Sequence, residues 1–296
     1  MPFSLLPSLN LLQTADELTY FCLSAFFMND FFKDKVVAVT GGSDGIGKAL
    51  IDALIPFGAK IATCGRNQDK LYDLQVKYSN HLVHIVVCDV SRMEDCRYFI
   101  ESTIQTFGGI DILINNAGIS MRALMKEAEI EVFKKLMDVN FYGTVYCTKM
   151  ALLSIIERKG TIVGISSIAG FRGLPGRSGY SASKFAVNGF LESIRVELID
   201  TGVKILCVCP GFTTSNIRNT ALDQVGNIQK ENPMDESKMM SASDCAGYIL
   251  KAIKNRKRTL VLTFTGKRLV FMNKFFPGVT DYLIKKFYFK NGRLVK

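Results

Sequence analysis

The sequence predicts a doubly wound α/β fold built on a parallel sheet. Short, continuously apolar runs rich in β-branched residues recur along the chain, and segments with apolar residues at helical spacing separate them. Strands that are apolar on both faces need helices on both sides, and right-handed crossovers between parallel strands place helices there. The 296 residues have room for one such domain of about 250 residues with extensions at its ends.

The first strand is predicted at Val36–Thr40 (VVAVT), where a β-branched run stops at two glycines. Helical spacing follows over residues 45–57 and ends at Gly58. The same alternation then continues to residue 208. Strands are expected at 60–64, 82–88, 110–114, 161–166 and 203–208, and helices at 68–77, 93–107, 129–157 and 180–200.

After Pro210 the pattern changes. Residues 211–240 are polar and poorly periodic, and their length suits a lid over a substrate, with a disordered segment as the alternative. A helix over 243–254 with Ser243 as its cap, followed by a strand over 259–263, is expected to complete the sheet.

The N-terminus is expected to lie outside the fold, as an extension of residues 1–27. Its apolar run, 18–27, is too short to span a bilayer, and Asp16 and Glu17 stand where a signal peptide carries positive charge. Translation from Met28 would explain this segment, and an interfacial membrane anchor is the competing hypothesis.

The net charge is distributed unevenly, between a near-neutral body and a basic C-terminal tail. Residues 251–296 hold thirteen Lys or Arg and one acid, a net of +12, whereas the whole chain carries +10, so residues 1–250 come to −2. A near-neutral body indicates a catalytic domain, predicted at 28–263, and no nucleic acid partner. The basic, aromatic extension at 264–296 is expected to be helical, and its interleaved cations and aromatics suit an anionic membrane surface. For this extension, the alternatives are packing of the aromatics on the body and binding of a nucleic acid or a partner protein.

The cysteines give no metal site. Eight cysteines are scattered without a C-x-x-C pair, and the chain has two histidines. Most of the cysteines lie in or beside apolar runs, which is typical of small buried residues in a reducing compartment. A cytoplasmic protein, free or peripheral at a membrane surface, is therefore expected.

The first candidate site is the sequence Thr40-Gly-Gly-Ser-Asp-Gly-Ile-Gly47, between the first strand and first helix. Glycines let the backbone approach a pyrophosphate, and a helix N-terminus offers it free N–H groups. This placement predicts a dinucleotide site, whereas the Gly-Lys-Ser/Thr of a nucleotide-triphosphate loop is missing. The second strand ends in Gly65-Arg66-Asn67 without an acid for the ribose of NAD, so Arg66 favours NADP.

Ser167, Tyr180 and Lys184 form the second candidate site. Tyr180 and Lys184 are four residues apart on one helix face. A lysine ammonium there is expected to lower the pKa of the tyrosine toward neutrality, and the Ser167 hydroxyl can hold a substrate oxygen.

Taken in order, these motifs resemble the short-chain dehydrogenase/reductase superfamily over about residues 35–262. The matching pieces also include Asp89-Val90, Asn115-Asn116-Ala117-Gly118, Asn140 and Pro210-Gly211. The resemblance implies a single Rossmann domain and hydride transfer between NADP(H) and a ketone or secondary alcohol.

The resemblance also implies individual roles. Tyr180 would be the general acid/base, Lys184 would tune it and hold the nicotinamide ribose, and Ser167 would polarise the substrate. Asn140 would support Lys184 through a proton-relay water. The implied cofactor contacts are Gly41, Ser43, Gly45, Ile46, Gly47, Arg66, Asp89, Val90, Asn116, Ala117, Gly118, Tyr180, Lys184, Pro210, Gly211 and Thr213.

Cofactor choice and substrate are less directly encoded. Many NADP-using members carry a basic residue where this chain has Asp44, which leaves the phosphate preference to Arg66. Residues 210–222 and the tail resemble the branch of acyl- or alkyl-dihydroxyacetone-phosphate reductases and 3-ketosphinganine reductases, which implies a lipid-like ketone.

The helices at 129–157 and 180–200 form the family's usual interface in homodimers or homotetramers. A catalytically idle protein that senses cofactor and docks through its tail is the alternative function.

Overall fold

A computed structural model describes residues 30–230, 232 and 234–295. The predicted N-terminal extension, 1–27, and the start at Met28 lie outside the described residues. Within them, seven parallel strands form one sheet in the order β3-β2-β1-β4-β5-β6-β7. The strands are β1 Val36–Thr40, β2 Lys60–Gly65, β3 Val83–Val87, β4 Ile112–Asn115, β5 Thr161–Ile165, β6 Lys204–Cys209 and β7 Thr259–Val261.

Helices cover both faces of this sheet. The helices are α1 Gly45–Leu54, α2 Gln68–Lys77, α3 Met93–Phe107, α4 Ile130–Met137, α5 Gly143–Glu157, α6 Ser178–Glu197, α7 Ala242–Lys254, α8 Phe264–Phe275 and α9 Pro277–Tyr288. Alternate residues of β1 separate two apolar clusters: Val36 and Ala38 join one, and Val37 and Val39 join the other. Because the strand is buried on both sides, its sequence is apolar up to its last residue, Thr40, and the predicted doubly wound α/β fold is confirmed.

The direction in which successive strands are added to the sheet reverses between β1 and β4. These two strands are neighbours and pair with each other in the middle of the sheet. In an open parallel sheet the loops on either side of such a reversal leave the carboxyl edge in opposite directions and open a crevice. The glycine turn after β1 and the loop after β4 therefore form the two sides of this crevice.

Helices α1 and α6 each end three residues before the predicted end. Two other differences from the prediction have a local cause. The segment expected as one helix over 129–157 is interrupted by a π turn at Asp138–Tyr142, where the Thr144 hydroxyl donates to the Asn140 carbonyl at 2.9 Å. The cap of α7 is Ser241 and not Ser243, because Ser241 Oγ accepts from the Asp244 N–H at 2.9 Å and Ser243 already lies inside the helix.

Residues 211–230 lie across the loop after β4. Main-chain hydrogen bonds run from Leu222 N to Ser120 O (2.9 Å) and from Arg122 N to Leu222 O (2.8 Å). A third joins Glu129 N to Gln224 O at 2.8 Å. These three hydrogen bonds attach residues 211–230 to the body of the protein. A segment that covers a cavity needs such an attachment, and a disordered segment would lack it.

The tail is helical, and one side of it packs on the body. Helices α8 and α9 are followed by a hairpin of β8 Phe289–Lys290 and β9 Arg293–Leu294. Arg172 donates to Asn273 Oδ1 at 3.0 Å and forms an ion pair with Asp281. Ile284 and Tyr288 complete an apolar cluster with Ala169 and Leu174, beside the end of β5. In the part of the chain that the structure describes, we find no helix both long and apolar enough to cross a membrane.

Candidate active site

A cavity of about 850 Å³ opens at the carboxyl edge of the sheet. It reaches from the end of β2 to the first residues of α6 and the loop after β6. Every predicted site residue lines it except Gly47 and Asn140, which lie directly behind its wall. The lining members are Gly41, Ser43, Gly45, Ile46, Arg66, Asp89, Val90, Asn116, Ala117, Gly118, Ser167, Tyr180, Lys184, Pro210, Gly211 and Thr213.

The glycine turn has a shape that other residues would block. Gly41 and Gly45 have φ values of +68° and +52°, in the left-handed region that favours glycine. A Cβ on Gly47 would lie 2.2 Å from the Gly41 carbonyl oxygen. The turn thus packs tightly against the start of α1 and leaves the helix N-terminus facing the cavity, which is the cradle that a pyrophosphate requires.

A hydrogen-bonded clamp joins the two loops of the crevice. Thr40 Oγ1 accepts from the main-chain N–H groups of Asn116 and Ala117, both at 3.0 Å. Asn116 Nδ2 donates in return to the carbonyls of Thr40 (2.9 Å) and Gly41 (3.1 Å). The spacing between the glycine turn and the loop after β4 is therefore fixed before any ligand binds.

The adenosine end of the crevice carries one exposed arginine. Arg66 follows β2 on the cavity wall, and among the described residues no carboxylate pairs with it. Asp44 instead caps α1, accepting from Gly45 N at 2.8 Å, and pairs with Lys70 at 2.5 Å. Burial opposes ionisation of Asp44, but the bonds from Lys70 and Gly45 outweigh it and lower its pKa.

The third strand supplies the next section of wall. Asp89 Oδ1 accepts from the N–H and the hydroxyl of Ser91, at 3.0 and 2.8 Å. This turn holds the carboxylate of Asp89, while the side chain of Val90 is buried and contacts the backbone at Gly143.

Ser167 and Tyr180 meet at the other end of the cavity. Ser167 follows β5, and its hydroxyl accepts from Ala169 N at 3.1 Å, which fixes its rotamer. Tyr180 lies in the first turn of α6, and the Ser167 hydroxyl is close enough to oppose the rise in the pKa of Tyr180. The two hydroxyl groups can therefore hold the same substrate oxygen.

Lys184 is buried behind Tyr180. Its side chain is 4% exposed, its Nζ donates to the Ile165 carbonyl at 2.9 Å, and the Nζ lies 5.7 Å from the centre of the Tyr180 ring. Burial lowers the pKa of Lys184 to about 8.

Asn140 fixes the loop after β4 next to Lys184. Its Oδ1 accepts from Ile119 N at 2.8 Å, and its Nδ2 donates to Ile119 O at 3.0 Å and to Ser183 Oγ at 2.9 Å. Gly118 sits between the two side chains, since a Cβ there would lie 3.1 Å from Asn140 Oδ1 and 3.4 Å from Lys184 Nζ.

The expected lowering of the Tyr180 pKa does not occur in this structure. Burial raises the pKa of Tyr180, and the nearby Ser167 hydroxyl and the positive charge of Arg177 only partly oppose it. Lys184 is itself desolvated and directs its Nζ to Ile165 O, so Arg177 is the larger electrostatic influence. The sequence prediction assigned this influence to Lys184 and was wrong on that point.

Sequence reasoning missed several residues of the substrate end. Leu174, Arg177, Phe212 and Arg218 line the cavity beside Tyr180. Only Arg177 carried a usable signal, because it stands three residues before the tyrosine on the loop that enters α6. The others come from loops whose path the sequence pattern does not predict.

Two cysteines, Cys64 and Cys88, line the cavity. The seven cysteines in the described residues are free and buried, and burial with neighbouring thiols raises the pKa of Cys88 to about 12. The described ranges also hold no cluster of His, Cys, Asp or Glu that could bind a metal ion.

Comparison with known proteins agrees with this geometry. The profile described as short chain dehydrogenase matches residues 35–226. Mouse dehydrogenase/reductase SDR family member 7B is 32% identical over 257 residues, which span 84% of this chain and 80% of that protein. An uncharacterized oxidoreductase of Staphylococcus aureus strain MRSA252 is 34% identical over 233 residues, 78% of this chain and 96% of that protein. A short chain dehydrogenase/reductase from Burkholderia phymatum, solved in complex with NAD, shares the fold with a TM-score of 0.75 at 20% identity, over 84% of this chain and 95% of that one.

Proposed function

Because the chain belongs to the short-chain dehydrogenase/reductase family of oxidoreductases, we propose that it is an NADP(H)-dependent enzyme that interconverts a ketone and a secondary alcohol. One observation carries the proposal. Ser167, Tyr180 and Lys184 converge at one end of a cavity whose other end holds the glycine turn and Arg66. A catalytically idle sensor that only binds the cofactor would have no need of Ser167, which the resemblance assigns to the substrate.

The nicotinamide group supplies or accepts the hydride when it is bound, and this chain's own residues handle the proton. Burial raises the pKa of Tyr180, so its hydroxyl is protonated at neutral pH and can donate to the oxygen of a ketone. The Ser167 hydroxyl holds the same oxygen while charge develops on it. Lys184, with a pKa of about 8, lies behind the tyrosine and can restore its proton, and Asn140 keeps the adjoining loop in place.

The reaction is tested by oxidation of NADPH, followed by its absorbance, against a panel of medium- and long-chain ketones. Tyr180→Phe removes only the proton donor, and we expect a loss of kcat of at least about 100-fold, as for other general acids. Tyr248→Phe, which alters an exposed tyrosine on α7, is the matched control and keeps full activity. Full activity in Tyr180→Phe would refute the mechanism.

We propose NADP(H) over NAD(H) because Arg66 is the charged group at the tip of β2 and Lys70 is already paired with Asp44. A 2′-phosphate would gain a bidentate guanidinium contact, about 1.5–3 kcal/mol for a charge-assisted bond. Arg66→Ala is therefore expected to weaken NADPH binding by about 10- to 100-fold and to leave NADH binding unchanged. Equal losses for both cofactors would show that Arg66 does not read the phosphate.

We propose a lipid-like substrate because a group of apolar side chains lines the wall near Tyr180, beside Arg177 and Arg218. Leu174, Phe212, Ile217, Leu222 and Ile228 line this part of the cavity, and the segment 211–230 covers it. An apolar chain gains about 0.8 kcal/mol per buried CH₂. Catalytic efficiency is expected to rise with chain length across a ketone series until the cavity is filled.

We propose further that the tail holds this cytoplasmic enzyme at an anionic membrane surface. The outer face of α8 presents Phe264, Phe271 and Phe275, which are 81%, 58% and 55% exposed. Three cations stand among them on the same face: Lys267, Arg268 and Lys274. Exposed phenylalanines can enter the acyl boundary while each cation gains about 1 kcal/mol from anionic headgroups.

The membrane proposal is tested with the full chain, since the other side of the tail packs beside the active site. Sedimentation with vesicles of phosphatidylcholine and phosphatidylserine is expected to recover the native protein, and Phe271→Ser/Phe275→Ser is expected to stay in the supernatant. Tyr72→Ser/Val76→Ser, which alters exposed apolar residues of α2, is the control. Native protein that stays in the supernatant in the presence of these vesicles contradicts the proposal.

A homodimer or homotetramer is proposed from the outer faces of α5 and α6. Leu153 on α5 is 75% exposed and Val196 on α6 is 65% exposed. Light scattering on an eluting size-exclusion peak is expected to give two or four times the 32.9 kDa of one chain. A single-chain mass contradicts it.

A further inference from the structure

The loop between β5 and α6, residues 166–177, carries Ser167 near its start and leads to Tyr180 beyond its end. Three of its twelve residues are glycines, so an unattached loop of this sequence would sample many conformations. The Ser167 hydroxyl must nevertheless stay in one place, because a group that stabilises charge in a transition state has to be positioned before the reaction. The contacts that hold this loop therefore bear on the reaction.

Main-chain hydrogen bonds connect Arg172, in the middle of the loop, to Ser167. The N–H groups of Phe171 and Arg172 both donate to Ile168 O, at 3.0 and 3.1 Å. The N–H of the next residue, Ala169, donates to Ser167 Oγ at 3.1 Å. A shift of Arg172 would therefore move the short turn that fixes the Ser167 hydroxyl.

The C-terminal tail holds Arg172 through two side chains. The guanidinium donates from Nη1 to Asn273 Oδ1 on α8, at 3.0 Å, and pairs through Nη2 with Asp281 on α9. Asn273 also donates from Nδ2 to Phe171 O at 3.1 Å. These partners are 101 to 109 residues apart in the sequence, so the attachment depends on the tail being folded in place.

The tail touches the same loop at two more places. On α8, a Cβ added at Gly266 would lie 3.0 Å from Ile168 Cγ2. Toward the other end of the loop, a Cβ added at Gly176 would lie 2.5 Å from Leu294 Cδ2 in β9. Both contacts leave little room for a side chain, so the tail is in close contact with the loop on each side of Arg172.

The bonds of Arg172 serve position more than stability. Its side chain is 20% exposed, and that of Asp281 is 64% exposed. An ion pair with an exposed partner adds little to the free energy of unfolding, but a planar guanidinium that binds two partners is held in one orientation. Among the described residues that line the cavity, neither Arg172 nor its two tail partners is found. Arg172 would therefore act on the substrate through its loop.

We propose that Arg172 is a positioning residue for the reduction: Asn273 and Asp281 of the tail hold it, so that its loop presents the Ser167 hydroxyl to the substrate oxygen. This inference rests on the proposed reductase function and deepens it. It gives the inner side of the tail a role in catalysis, separate from the membrane contact proposed for its outer side.

The inference is tested with the full chain, by oxidation of NADPH with the ketone of the medium- and long-chain panel that the native enzyme reduces fastest. Arg172→Met keeps an unbranched side chain and removes its donors. We expect kcat to fall about 10-fold, part of the 100-fold or more that loss of a transition-state donor costs. The affinity for NADPH, measured by fluorescence titration, is expected to stay within about twofold, because the glycine turn and Arg66 follow β1 and β2, on the far side of β4.

The matched control is Arg97→Met, which breaks an exposed pair between Arg97 and Glu94 on α3, at 3.4 Å. It is expected to keep the native kcat, since α3 does not contact the loop through any of these bonds. An Arg172→Met enzyme with the native kcat overturns the inference.

A Ser167→Ala background separates positioning from general damage to the fold. If Arg172 acts through the Ser167 hydroxyl, Arg172→Met is expected to lower kcat by less than about twofold once that hydroxyl is gone. A substitution that merely loosens the fold would cost the same factor in both backgrounds. An equal loss in both backgrounds therefore overturns the inference.

Exchange of the two charges is the second test, and it carries the inference if Arg172→Met fails to fold. Arg172→Glu and Asp281→Arg, each alone, place like charges together and are expected to lower kcat at least about 10-fold. The double variant Arg172→Glu/Asp281→Arg restores an opposite pair and is expected to recover kcat to within about threefold of native. A double variant no faster than the slower single variant refutes the positioning role.

The two proposals fail differently. A native enzyme that reduces ketones, and that keeps its rate as Arg172→Met, retains the reductase function and loses the positioning role. A native protein that reduces no ketone of the panel, or that keeps its rate as Tyr180→Phe, loses the reductase function and the positioning role with it.

Discussion

Replacing Lys184 with Met is expected to stabilise the protein without cofactor while it abolishes catalysis. Lys184 is 4% exposed, and its ammonium forms one hydrogen bond, to Ile165 O at 2.9 Å. Its pKa falls from 10.5 to about 8 on folding, because burial disfavours the charged form. Below pH 8 the folded state therefore carries an uncompensated cost of about 3 kcal/mol.

Methionine has nearly the same length and no charge. It recovers that cost and gives up one hydrogen bond, about 1 kcal/mol, together with some packing. A net gain of about 1–2 kcal/mol in the free energy of unfolding is expected at pH 7, or about 2–6 °C in Tm for a chain of this size. The measurement is urea denaturation of the cofactor-free protein, followed by circular dichroism.

The pH dependence separates charge from packing. Between pH 8 and 10.5 the unfolded chain binds more protons than the folded one, so the native stability rises with pH across that window. The advantage of Lys184→Met is therefore expected to vanish by about pH 9.5. Lys149→Met, on the exposed side of α5, is the control and stays within about 0.5 kcal/mol of native. A Lys184→Met protein that is destabilised by the same amount at every pH would falsify the reasoning.

Three further substitutions test other contacts. In Gly47→Ala the new Cβ meets the Gly41 carbonyl at 2.2 Å, so NADPH fluorescence titration is expected to show at least a 100-fold loss of affinity; normal binding would mean that the turn adjusts. Asn140→Ala leaves Ile119 N, Ile119 O and Ser183 Oγ without their partner, and urea denaturation is expected to show a loss of about 2–4 kcal/mol; a smaller loss would point to water replacing the amide. Arg177→Met removes a charge that lowers the pKa of Tyr180, so the alkaline limb of kcat/KM for reduction of a neutral ketone is expected to move to higher pH; an unmoved limb contradicts that electrostatic role.

Sequence pattern predicts this fold well because its central strands are buried on both faces. The run Val36–Thr40 admits no polar residue except at its last position, where the Thr40 hydroxyl holds Asn116 N and Ala117 N. The observed bounds of the helices 68–77 and 93–107 agree with the predicted ones, because the helical pattern of each ends at a polar residue or at a glycine.

The predictions that failed depend on contacts between distant segments. A π turn at Asp138–Tyr142 does not interrupt the apolar periodicity, so the pattern over 129–157 looks like one helix. Ser241 and Ser243 are both plausible caps, and only the backbone path before α7 selects the first. The pKa of Tyr180 depends on Arg177 and on burial, and neither can be obtained from the helical spacing of Tyr180 and Lys184.

The tail cannot be understood as a separate appendage, because its two sides meet different surroundings. The inner side places Ile284 and Tyr288 against Leu174, a residue of the cavity wall, and brings the Phe287 ring within 6.3 Å of Phe212, another wall residue. The outer side carries the exposed phenylalanines and cations of α8. A membrane that engages the outer side would therefore lie next to the segment that builds the substrate end of the cavity, and an amphiphilic substrate could enter the cavity from that surface. The +12 charge of residues 251–296 would then hold the enzyme at the surface from which its proposed lipid-like substrate enters.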